Sequence, residues 1–124
     1  MAEHNDFGRW AEETTVVFLE SKGYRILARN YRYQKAEIDL IAEFKDLVVV
    51  IEVKARASKT PTRPEEAVNR KKIKRLVGAA DAFMAAHQMD KEVRFDIVSV
   101  ILESEGKYTI THLEDAFESF DAGL

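Results

Sequence analysis

Phe7, Trp10, Ala11, Thr14, Val17 and Phe18 fall at helical spacing, which predicts a helix over about 7–22 with Gly23 as its stop. The period then shortens. Residues 24–33 read as a strand of mixed pattern, and 37–42 and 47–55 as two apolar strands. A loop with Pro61 follows over 58–63. Thr62-Arg63-Pro64-Glu65 has the form of a capping box and opens a helix that runs to about His87. Ile73, Leu76, Val77, Ala80, Phe83 and Met84 form its apolar stripe. At 100° per residue Lys71, Lys74 and Arg75 point away from that stripe, and Arg70 and Lys72 flank it. Residues 93–102 predict a strand, 103–107 a turn with Gly106, 108–113 a returning strand and 114–120 a short helix. The order α-β-β-β-α-β-β implies an α/β or α+β fold with a mixed sheet. No repeat or linker divides the chain, so 1–124 reads as one domain with short polar tails at about 1–6 and 121–124.

Composition adds bounds. A chain of 124 residues, 46% hydrophobic and 33% charged, suits one globular domain with a real core. There is no cysteine, hence neither a disulfide frame nor a thiolate metal site, and a reducing cytoplasm fits. No apolar run is long enough to span a bilayer, and the polar, acidic start is unlike a signal peptide. The net charge of −3 argues against a nucleic-acid binder, but its distribution does not. Residues 54–75 hold nine basic side chains against Glu65 and Glu66, and 22–35 hold five with no acid. This asymmetry builds either a basic docking face or an ordinary solvated helix face.

The charges inside the apolar strands carry the candidate chemistry. Asp39 interrupts Ile38-Asp39-Leu40-Ile41, and Glu52 and Lys54 close Leu47-Val48-Val49-Val50-Ile51-Glu52-Val53-Lys54. Buried charges need partners. If Lys45-Asp46 is a two-residue hairpin turn, opposed residues sum to 91, Asp39 faces Glu52 and Glu37 faces Lys54. Two carboxylates at that spacing need a shared proton or a cation. Mg²⁺ (or Mn²⁺) suits them, with a backbone carbonyl such as that of Val53 completing the set. The competing reading is a Glu37–Lys54 ion pair, with Asp39 and Glu52 facing solvent at a sheet edge.

Several segments together resemble one family: the YraN-type proteins, related to the PD-(D/E)xK nuclease superfamily and especially to archaeal Holliday junction resolvases. The matching pieces are Gly8-Arg9-Trp10-Ala11-Glu12, Gly23-Tyr24, Arg29-Asn30-Tyr31-Arg32 and Ala36-Glu37-Ile38-Asp39-Leu40-Ile41. Glu52-Val53-Lys54-Ala55-Arg56, Glu66-Ala67-Val68 with Lys72, and Arg94-Phe95-Asp96 complete the set. The resemblance implies a restriction-endonuclease-like α/β fold with a central mixed sheet flanked by helices. It implies that Asp39 and Glu52 are metal ligands, Lys54 the catalytic lysine, Glu12 an accessory acid and Lys72 a phosphate contact. Ala11 and Ala36 stand where the family has glycine. An alanine at 36 is strained if the position needs positive φ, and crowds the substrate if the glycine gave it room.

Other residues have weaker claims. Arg94 and Asp96 straddle Phe95 and suit a structural pair. His4, His87 and His112 are scattered without ligand-like neighbours, with His87 placed for capping. Tyr31 and Tyr33 flank Arg32 and suit either base stacking or strand packing. Arg56, Arg70, Lys71, Lys72, Lys74 and Arg75 are the candidate phosphate contacts, with no motif for reading base edges. The leading expectation is a Mg²⁺-dependent endonuclease acting on DNA, structure-specific in its substrate and paired as a homodimer. The alternative is a non-catalytic nucleic-acid-binding module of the same fold. A third is a scaffold whose acids are only structural.

Overall fold

The computed structural model describes residues 2–57, 69–104 and 106–117. Its elements are α1 (Ala2–Ser21), β1 (Arg25–Tyr33), β2 (Ala36–Phe44), β3 (Leu47–Ala57), α2 (Arg70–Ala86), β4 (Glu92–Ser104) and β5 (Lys107–Phe117). The fold is α/β, in the expected order α-β-β-β-α-β-β. The five strands form one sheet in the order β1-β2-β3-β4-β5. β3 and β4 are parallel, and each of the other neighbouring pairs is antiparallel. The crossover between β3 and β4 carries α2, as a parallel connection requires.

Each helix packs on its own face of the sheet. Ala11, Val16 and Leu19 of α1 bury against Leu40, Ala42, Val49, Ile51, Val98 and Val100. Ile73, Leu76, Val77, Ala80 and Phe83 of α2 bury against Ile38, Ile41, Val48, Val50, Phe95 and Ile97. The stripe expected of α2 is the one it uses. That of α1 is rotated: Val17 is 67% exposed, and Thr15 is fully buried. Thr15 is tolerated inside because its hydroxyl donates to the Ala11 carbonyl at 2.8 Å.

The helix ends follow local chemistry. The Tyr24 N–H bonds the Leu19 carbonyl and the Gly23 N–H that of Glu20, with Gly23 at φ +97°. This is a Schellman stop, and it uses the glycine predicted for it. Asn69 caps α2, its side-chain oxygen accepting from the Lys72 N–H at 2.9 Å. The expected loop at 58–63, the capping box at 62–65, Lys59, Arg63 and Glu66-Ala67-Val68 lie outside the described residues.

One element corrects the expectation. Residues 114–117 belong to β5 rather than to a short helix. The register of β5 on β4 shifts between Phe95↔Phe117 and Ile97↔Leu113, and Asp115 takes φ +54°. Its N–H donates to the buried carboxylate of Asp96 at 3.0 Å. A side chain from the neighbouring strand therefore satisfies the bulge, which local sequence does not announce.

Candidate functional site

The β2–β3 hairpin has the predicted register. Its pairs run from Phe44↔Leu47 to Leu40↔Ile51, each summing to 91. Lys45 supplies the left-handed turn residue at φ +56°. Beyond Leu40↔Ile51 the ladder stops, yet β2 stays paired with β1 as far as Ala36 and β3 stays paired with β4 as far as Ala57. The sheet thus forks between β2 and β3. Asp39 and Glu52 are the first residues past the branch point. There the Val53 N–H, which has lost its ladder carbonyl, donates to Asp39 Oδ2 at 2.8 Å.

Glu52 lies on the α2 side of β3 and is 3% exposed. Its Oε2 pairs with Lys72 Nζ at 2.7 Å, and its Oε1 is buried without a hydrogen-bond partner among the described residues. Asp39 and Lys54 line a cleft of about 310 Å³ at the fork, with Gly8, Ala11 and Glu12 of α1 forming part of its wall. Burial first, and the charge of Glu52 second, raise the Asp39 carboxyl to about 7 against the pull of the Val53 N–H. Burial also raises the Glu12 carboxyl, as does the charge of Glu37, with Arg29 opposing. The Lys54 ammonium is pushed down, first by burial and then by the charge of Lys72. Burial works against the Lys72 cation too, but the hydrogen bond and charge of Glu52 outweigh it and raise that group.

The fork therefore gathers Asp39, Glu52, Lys54, Lys72 and Glu12. Among the described residues no group of three or more His, Asp or Glu side chains is spaced to hold a metal ion. The Asp39–Glu52 pair still suits a hard divalent cation. Both groups offer carboxylate oxygens, one oxygen is orphaned, and Mg²⁺ commonly takes only one or two carboxylates with waters and phosphate. The competing ion-pair reading fails at Glu37, which pairs with Arg32 at 3.6 Å instead of Lys54. Ala36 is absent from the residues with positive φ, so its methyl carries no backbone strain.

The other candidates spread over the fold. Arg70, Lys71, Lys74 and Arg75 are exposed on α2, whereas Arg56 is half-buried on β3. Tyr31 packs its ring edge-on to Phe83 at 5.2 Å, while Tyr33 is 39% exposed. His87 caps α2, with Nδ1 2.9 Å from the Phe83 carbonyl. His112 does have neighbours: Nε2 lies 2.7 Å from Asp96 Oδ2 and Nδ1 3.1 Å from Lys22 Nζ. Lysine can only donate there, so Nε2 carries the proton toward Asp96. Arg94 completes this knot with two bonds to Asp96, at 2.9 and 2.8 Å, which makes the pair structural.

Sequence reasoning missed Asn30. It takes φ +51° opposite the fork, and its amide points to Glu12 at 3.4 Å. The available signal was the residue type, since asparagine tolerates the left-handed region.

The model of the uncharacterised protein family UPF0102 matches residues 11–100. A UPF0102 protein of Flavobacterium psychrophilum is 44% identical over 120 residues, covering 97% of this chain and all of the relative. One from Bacteroides thetaiotaomicron is 46% identical over 117 residues, or 94% of this chain and 96% of the relative. The match spans every residue gathered at the fork. No helix among the described residues is long and apolar enough to cross a membrane.

Proposed function

The chain belongs to the uncharacterised protein family UPF0102, and from the chemistry of its forked sheet we propose a divalent-metal-dependent endonuclease that acts on DNA phosphodiesters. One observation carries this reading: the buried, half-orphaned carboxylate of Glu52 beside an Asp39 whose carboxyl burial and the charge of Glu52 together raise to about 7. Such a pair is stable either with a proton or with a cation, and a phosphate substrate brings the need for a cation. Asp39, Glu52 and the Val53 carbonyl would hold Mg²⁺ or Mn²⁺. When bound, that ion supplies an acidified water and neutralises charge building on the phosphate.

The chain's own groups do the rest. The Val53 N–H fixes the Asp39 carboxyl, so the ligand does not have to be ordered at binding. Lys54, with its ammonium pushed down, suits a group that holds the attacking water or the phosphate oxygen. Glu12, at the α1 wall of the cleft, is placed to accept a proton from water. Lys72, the candidate phosphate contact, pairs with Glu52 while no substrate is bound. It holds Glu52 and stands in for positive charge until substrate arrives. Pairing of two copies would present two such clefts to two strands.

A second reading has its own observation. Lys72 occupies Glu52 Oε2, and a chain content with that ion pair binds nucleic acid without turnover. Incubating the protein with branched and single-stranded DNA in Mg²⁺ or Mn²⁺, beside Asp39→Asn, separates the two. Nuclease activity predicts products that fall at least a hundredfold in the variant. Equal cleavage by both proteins overturns the proposal. Salt-dependent binding with no product in either metal selects the second reading.

A further inference from the structure

The β1–β2 turn and α2 enclose a second feature that the cleavage chemistry does not use. A hollow of about 370 Å³ lies between them, with Tyr33, Ala36 and Gly78 at its surface and Lys35, Lys74 and Arg75 around it. Among the described residues Tyr33 is one of few large apolar side chains left exposed, at 39%. A Cβ built on Gly78 would meet nothing within 4 Å, so the helix leaves open space there. None of the three cations has an acidic partner among the described residues. The hollow adjoins a groove of about 280 Å³ that shares Lys35, Ala36 and Arg75 with it and is lined also by Glu37 and by Lys72, the partner of Glu52. Ala36 stands three residues before Asp39, about 10 Å along an extended strand.

An exposed aromatic ring, an apolar floor and a rim of unpaired cations describe a nucleotide better than a bare anion. Phosphate alone has no use for the ring, and an apolar ligand has none for the cations. We infer that this hollow holds one unpaired, unstacked base of a single-stranded segment, stacked on Tyr33, with Lys35, Lys74 and Arg75 on the adjoining phosphates. A base in a duplex is stacked on both faces and cannot present one to Tyr33. The substrate class is therefore DNA with a single-stranded or splayed arm next to the scissile phosphate. This deepens the nuclease reading and rests on it for the word substrate, but the binding itself needs no metal.

Fluorescence anisotropy in EDTA tests it, with a labelled 20-nucleotide oligothymidylate, an abasic strand of equal length and a blunt 20-base-pair duplex. The expected order is oligothymidylate tightest, with the abasic strand about tenfold weaker, the scale of one stacked base. Tyr33→Ala should lose about tenfold on oligothymidylate and nothing on the abasic strand. Gly78→Met fills the open space while improving helix propensity, so it should keep or raise Tm yet weaken oligothymidylate to the same extent. Equal affinity for abasic and normal strands, or an unaffected Tyr33→Ala, overturns the inference. So does thymidine monophosphate competing as well as the strand, since the hollow would then serve free nucleotides. Cleavage in Mg²⁺ is read separately from product bands. Its absence counts against the nuclease reading and leaves the anisotropy result standing.

Discussion

Asp39 shows how one position can be read in a sequence and still depend on the fold for its chemistry. An acid between Ile38 and Leu40 is conspicuous, and so are Glu52 and Lys54 at the end of an apolar strand. Their convergence followed from the two-residue turn. The pairing of Lys72 with Glu52 did not, because it depends on how α2 is rotated over the sheet. A raised carboxyl has a measurable sign. From about pH 4 to about pH 7 the folded, metal-free protein keeps a proton on Asp39 that the unfolded chain has released. Its contribution to stability is thus present at the acid end and lost as pH rises through about 7. Thermal melts in EDTA between pH 4.5 and 8 should show the wild type losing Tm relative to Asp39→Asn. Mg²⁺ at pH 8 should restore the wild type alone, since the cation then neutralises the ionised carboxylates in place of the lost proton. Parallel curves for the two proteins would remove the strained carboxyl pair from the account.

At the scale of elements, long periodic segments were the legible ones. The stripe on α2, the Gly23 stop and the β2–β3 register all come from patterns a few residues long. What failed was set by hydrogen-bond partners that the apolar pattern does not announce. Thr15 is buried because its own helix satisfies it, and 114–117 is a strand because Asp96 receives the Asp115 N–H. The second case makes a prediction. Burial alone would raise the Asp96 carboxyl, but hydrogen bonds from His112, Arg94 and the Asp115 N–H outweigh it and hold the group below its ordinary value. Asp96 therefore stabilises fully above about pH 4, and that support is lost as pH falls through its folded value. Asp96→Ala should cost roughly 3 kcal/mol or more at pH 7, since it strands Arg94 and His112. Denaturant midpoints should show the gap to wild type narrowing as pH drops below about 4. A gap under about 1 kcal/mol at neutral pH would mean that the β5 bulge holds itself.

For the whole molecule, charge is the property that local patterns least reveal. The chain is net acidic at −3, yet Lys35, Lys71, Lys74 and Arg75 line connected grooves on one side. If these four side chains neutralise four phosphates of a single strand, log affinity should fall against log salt with a slope of about −3. Lys74→Gln with Arg75→Gln should bring that slope to about −1.5 and weaken all strands alike. A slope near zero in the wild type would leave the grooves as solvated surface. The exposed basic face was readable from helical spacing alone. Its continuation onto the Gln34–Lys35 turn was not, because only the folded sheet brings that turn beside α2.

The single parallel joint in this sheet also sets an order of assembly. β1, β2 and β3 are joined by two-residue turns, so the acids of the fork can come together through short-range pairing on the microsecond scale of hairpins. Lys72 arrives with α2, inside the long crossover from β3 to β4, a slower event because more chain entropy must be lost first. A chain emerging from the ribosome would then carry its carboxylates before their counter-cation.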